Sequence, residues 1–152
     1  MKDIPKGLLA GLAATIVLSL LMVLKAMMGI MPQLNLPKML AGMAGSPDML
    51  VIGWIVHFVI GIVIYGVAIA VLDAKLPGNS HVGHGIILAV IGWLIMMVVL
   101  MPMAGAGLFG MNMGIMAPMM TLVLHLIFGA VLGWVYGQSA VSRGASISSA
   151  RA

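Results

Sequence analysis

Four long apolar runs dominate the chain, at Gly7–Met31, Met49–Leu72, Gly83–Met103 and Ile115–Gly137. Each is long enough to cross a bilayer as a helix, which takes about 20 mostly apolar residues. Polar or turn-forming stretches separate them. The first connection, Pro32–Asp48, holds Pro32, Pro37 and Pro47. It predicts a short interfacial helix from Pro37 to Ala44, because proline suits the first helical position. The second, Asp73–Val82, contains Pro77-Gly78-Asn79-Ser80, a turn signal. The third, Ala104–Gly114, is rich in Gly and Met and uncharged. The prediction is an all-α membrane domain over 1–137, with a disordered polar tail over 138–152.

Within the runs, residues four apart share a helical face. Helix two presents Gly53, His57, Gly61 and Tyr65 on one such face, and helix four His125, Gly129, Gly133 and Gly137. Helix one adds Gly7, Gly11, Thr15 and Ser19. Small and polar residues mark the helix–helix face in lipid, so both histidines are expected inside the bundle. Each lies about nine or ten residues from the outer end of its helix, which at about 1.5 Å per residue is near mid-membrane.

The pattern also repeats. His57-Phe-Val-Ile-Gly61 matches His125-Leu-Ile-Phe-Gly129, and Ala26, Gly29, Ile30 and Met31 match Ala104, Gly107, Leu108 and Phe109. Two tandem hairpins, about 7–72 and 83–137, therefore form a parallel repeat related by an axis along the membrane normal. A four-helix bundle follows, with helices two and four as diagonal neighbours.

Composition sharpens this picture. Of 152 residues, 63% are hydrophobic and 7% charged, against about 45–50% and about 25% in soluble domains. The few charges cannot cover a water-soluble fold; a bilayer removes the need. The 20 glycines suit close helix approach in lipid. Lys2, Lys6, Lys75, Arg143 and Arg151 fall on one side and Lys38 on the other, which predicts both termini and the second loop on the cytoplasmic side. The run after Lys6 is too long for a signal peptide and reads as a retained helix. With no cysteine, disulfides and thiolate sites are excluded. A net charge of +4 from scattered residues is no nucleic-acid footprint.

Chemistry then rests on few residues. Two ionisable groups at mid-membrane depth are a functional hypothesis. Facing imidazoles of His57 and His125 could ligate a b-type haem, with Gly61 and Gly129 one turn away leaving room for the ring. The alternative is copper. Of 17 methionines, all but Met1 lie from mid-membrane outward. Met101, Met103, Met111, Met113 and Met116 are candidate Cu(I) thioether ligands. The plainer reading of the histidines is a hydrogen bond that ties helices together, and of the methionines, adaptable packing. Lys25 is expected to snorkel to the outer interface, with a headgroup or haem propionate as its other use. Trp93, near mid-span, is open between packing and ligand contact. His81 and His84 form an i, i+3 pair by the second loop, a weak metal signal. Asp3, Asp48 and Asp73 all lie at helix ends or loops, so ion-coupled transport has little to work with, and hydrolases have no constellation.

From Gly7 to Gly137 the chain resembles an uncharacterised family of small bacterial four-helix membrane proteins that carries a domain-of-unknown-function label. The resemblance rests on Gly29-Ile-Met-Pro32, Gly53-Trp-Ile-Val-His57, Met101-Pro-Met-Ala-Gly-Ala-Gly107 and Leu122-Val-Leu-His125-Leu-Ile-Phe-Gly129. It implies a multi-pass protein of the bacterial inner membrane and no particular activity. The expected function is non-enzymatic: cofactor or metal binding inside the bundle, or service as an accessory subunit. Expected partners are the lipid bilayer, other membrane subunits or a second copy, and no nucleic acid.

Overall fold

The computed structural model describes residues 3–149, with side chains described as far as Gln138. Four helices are long and apolar enough to cross a membrane: α1 (Ile4–Met27), α3 (Leu50–Lys75), α4 (His81–Met103) and the Met116–Gln138 part of α5 (Met116–Ser149). Among the described residues there is no strand. The first loop carries the expected short helix, α2 (Leu36–Met43). Asn35 caps it, its side-chain oxygen accepting from the Lys38 N–H at 3.0 Å, with Pro37 in the first turn. The tail expected to be disordered from 138 is helical in backbone to Ser149. Lys2, Arg151 and the Arg143 side chain, used above to orient the chain, lie outside the described residues.

The spans run antiparallel, so both chain ends share one side; that half of the bundle is termed terminal here, and the opposite half distal. Helix α1 packs against α3 and α5, and α4 packs mainly on α5. Helices α3 and α5 meet diagonally where the Tyr65 and Phe128 rings contact at 4.8 Å. The outward faces are apolar, with Leu20 at 65% and Met27 at 81% exposure. A soluble protein would hide such a surface; lipid solvates it.

The duplication is written in the backbone. Gly29 and Gly107 adopt φ of 66° and 76°, and two residues on, Met31 and Phe109 adopt 47° and 57°. Met31 and Phe109 are the non-glycine residues with positive φ among those described. Left-handed geometry costs a non-glycine residue roughly 1–2 kcal/mol. The first helices end alike on Gly29 and Gly105, with the Ile30 N–H returning to the Lys25 carbonyl and the Ala106 N–H to the Met101 carbonyl, and the second copy then reaches its left-handed Phe109 two residues later than the first reaches Met31.

The two halves are packed differently. In the terminal half, glycines bring backbones into contact: Gly7 against Gly66, Gly11 against Gly61, and Gly85 against Gly129 and Gly133. Ala10, Ala14, Ala89 and Leu132 fill the space between. The distal half packs on Met96, Met97 and Met101, with Met31, Met39, Met113 and Met120 around them. Two π-helical turns widen the spans, one at mid-span in α3, Ile60–Tyr65, and one in the distal half of α4, Met96–Leu100. The second has a clear cause. Pro102 has no N–H for the Val98 carbonyl, and its ring crowds that carbonyl, so the preceding turn opens.

Candidate functional site

His57 is buried in α3, and His125 half-buried in α5. Both line one small cavity of about 90 Å³, which also touches Gly61 and Tyr65. Both imidazoles therefore point into the bundle and away from acyl chains. The Nε2 atom of His57 hydrogen-bonds with Ser19 Oγ of α1 at 3.2 Å, and the ring packs edge-on against Trp54 and Phe58. His125 is held otherwise. Its Nδ1 lies 2.8 Å from the Thr121 carbonyl, an acceptor only, so Nδ1 carries a proton. In the neutral ring Nε2 then keeps its lone pair.

A larger cavity of about 540 Å³ opens beside His125 in the distal half. Ligand pockets run to roughly 300–1,000 Å³. Its wall is chiefly apolar, and includes Met96 and Met101 of α4, Trp54 of α3 and the loop residues Pro32 and Leu34. Thr121 and His125 bring the polar atoms from α5, and Lys25 those from α1.

Lys25 does not reach out to the interface. Its Nζ donates to the carbonyls of Ile30, Met31 and Leu34 at 3.2, 3.1 and 2.8 Å. The left-handed turn at Met31 strands carbonyls that no helix uses, and an ammonium with three protons satisfies them. Trp93 is likewise structural: its Nε1 donates to Thr121 Oγ1 at 3.1 Å, and its ring meets Phe109.

The glycines expected to clear space beside the histidines do other work. Thr15 of α1 fills the room over Gly61, and Gly129 meets Gly85 and Ala89 of α4. Gly61 still borders the small cavity. The five methionines divide. Met101 is buried, and its side chain and that of Met113 close over Gly110. Met103, Met111 and Met116 face outward, each more than half exposed, so the structure does not gather the five at one point.

Met96 is the residue that sequence reading missed. Five positions from Met101, it falls off that residue's face in an α-helix, but the π-helical turn bonds i to i+5 and realigns them. The proline at 102 was the available signal. Asp73 was also missed as a partner of His81 and His84: its Oδ1 lies 2.8 Å from the Nδ1 atom of each.

A search of curated proteins and one of solved structures each give no match. The family described as "Family of unknown function (DUF6789)" matches residues 1–145. A match over nearly the whole chain, on the four-span architecture just described, places this protein in the DUF6789 family of unknown function.

Proposed function

We propose that this is a multi-pass protein of the bacterial cytoplasmic membrane that binds a cofactor in the distal cavity, with His125 Nε2 as the primary ligand and haem b as the cofactor. One observation carries the reading: a ring nitrogen with its lone pair turned to the interior, backed by a carbonyl bond on the other nitrogen, beside a ligand-sized apolar cavity. Metal-bound histidines nearly always donate their second ring N–H in this way. His125 would hold a haem there through Nε2, and the apolar wall would exclude water from it. His57 is the second candidate ligand, and to serve it would have to give up Ser19.

A copper reading has its own support. Met96 and Met101 line the same cavity as His125, and two thioethers with an imidazole suit Cu(I). The remaining alternative, an accessory subunit of a larger membrane complex, puts no ligand in the cavity.

An absorption spectrum of the detergent-purified chain decides among them. The expected result is a Soret band that His125→Ala removes and His57→Ala alters without abolishing. A colourless preparation with near-stoichiometric copper, lost in the Met96→Leu/Met101→Leu double variant, selects the copper reading. A colourless, metal-free preparation ends both.

A further inference from the structure

At the terminal end of the bundle, α3 finishes in a 3₁₀ turn, Asp73–Lys75, and α4 begins at His81 behind its Ser80 cap. The i, i+3 spacing at the start of α4 sets His81 and His84 on one side, toward that turn. Three ligand atoms converge there: Asp73 Oδ1, His81 Nδ1 and His84 Nδ1. All lie within 4.8 Å of one another, and both nitrogens are 2.8 Å from the same oxygen. We propose that Asp73, His81 and His84 form a binding site for a divalent first-row transition-metal ion such as zinc.

The hydrogen-bond directions at His84 carry the argument. Its Nε2 lies 3.1 Å from the Gly78 carbonyl, which can only accept, so Nε2 holds a proton. In the neutral ring Nδ1 is then a lone pair aimed at a carboxylate oxygen, two acceptors in contact. The arrangement calls for a cation between them, either a second ring proton or a metal ion. The Gly78 bond is also the outer partner that orients a ligating histidine.

The surroundings favour the metal. Imidazole with carboxylate suits zinc and its neighbours. The Asp73 and His84 side chains are only 14% and 7% exposed, unlike a solvated acidic patch. His81, at 42%, leaves an approach from water and room for a solvent ligand in the fourth position. Its ring is steadied by Tyr136 at 5.8 Å. Tetrahedral zinc with bonds of about 2.0–2.1 Å holds its ligands about 3.3 Å apart, so the carboxylate would withdraw by about 0.5 Å and the two nitrogens, within 4.8 Å of each other, would settle at that spacing. The ion then replaces the protons shared with Oδ1, and binding releases them to solvent.

The site is separate from the distal cavity and independent of the cofactor reading. Full-length protein, purified in detergent through a tag without histidine and stripped with a chelator, is dialysed against zinc and its metal counted. One zinc per chain is expected, with a visible d–d band when cobalt replaces it. His84→Ala and the half-exposed His81→Ala should each weaken binding at least tenfold, and the His57→Ala/His125→Ala double variant should retain it. His81→Ala lies at the surface and guards against a folding artefact. No zinc on the wild-type chain at micromolar concentration, or equal occupancy in His81→Ala, overturns the proposal and leaves two imidazoles hydrogen-bonded to Asp73.

Discussion

The two hairpins share a scaffold and differ in what they do with their histidine. Both end the first helix on a positive-φ glycine, Gly29 in one and Gly105 in the other, and pass a left-handed non-glycine residue within the next four. Both bury a helix–helix crossing on glycine, Gly11 with Gly61 in one and Gly85 with Gly129 in the other. His57, however, has a hydroxyl partner in Ser19, whereas in the register of these crossings the place of Ser19 in the second copy is taken by Trp93, whose indole N–H bonds to Thr121. His125 turns to a carbonyl of its own helix instead and leaves Nε2 to the interior. Duplication preserved what the fold needs. The candidate chemistry lies where the copies diverged.

The largest effect should come from breaking what the copies share. A Cβ on Gly85 would run into the Gly129 carbonyl and lie 2.9 Å from Gly133 Cα. These are backbone atoms on a neighbouring span, and no side chain can swing aside. Gly85→Leu should therefore destabilise the bundle by at least about 3 kcal/mol, the upper end of ordinary overpacking. Gly83→Ala, whose Cβ meets only Ser80 at 3.6 Å, should change little. Thermal denaturation in detergent compares the two. If Gly85→Leu melts with the wild type, the glycine crossings do not hold the hairpins together.

The sequence carried the scaffold because the scaffold is local. Twenty-residue apolar runs, the prolines around α2 and the repeated His-x-x-x-Gly are each visible within one segment. The inward aim of both histidines was also legible, from the small residues a turn away. What was hidden depends on distant geometry. Lys25 could not be matched to the carbonyls of Ile30, Met31 and Leu34 without the shape of the turn that strands them. Met96 reached the face of Met101 only through the proline-induced wide turn. Asp73 met His84 across a loop whose path no periodicity gives. Gly61 and Gly129 were read as clearance for a cofactor, but a glycine face looks alike whether it receives a ring or a neighbouring helix.

A middle-sized effect tests the divergence itself. Ser19→Ala removes the hydroxyl from a buried imidazole. A buried polar atom left without its partner costs about 1–3 kcal/mol, so about 2 kcal/mol of stability should disappear. Ser19→Thr, which keeps the hydroxyl, should restore most of it. In a His57→Ala background Ser19→Ala should cost little, whereas in a His125→Ala background it should keep its full cost. Equal losses in the two backgrounds would mean that Ser19 does not single out His57, and the argument for His125 as the open one would fail.

The smallest effect asks whether the shared turn is strained equally in both copies. Gly29 has φ of 66°, and a Cβ there meets nothing within 4 Å. Gly29→Ala should thus incur only the left-handed penalty, roughly 1 kcal/mol. Gly107 has φ of 76°, but its Cβ would lie 2.9 Å from Asn112 Oδ1. The Asn112 side chain, donating to the Gly105 carbonyl at 3.1 Å, closes the third connection, which has no lysine at the place of Lys25. Gly107→Ala must strain the backbone and also displace that amide, adding about 1 kcal/mol for the lost hydrogen bond. Gly107 also holds ψ of 169°, a region essentially reserved for glycine, so in an Asn112→Ala background Gly107→Ala should still cost more than Gly29→Ala, by about 1 kcal/mol. A Gly107→Ala penalty that falls to the Gly29→Ala level in that background would show that the two loops differ only in the side chain that closes them.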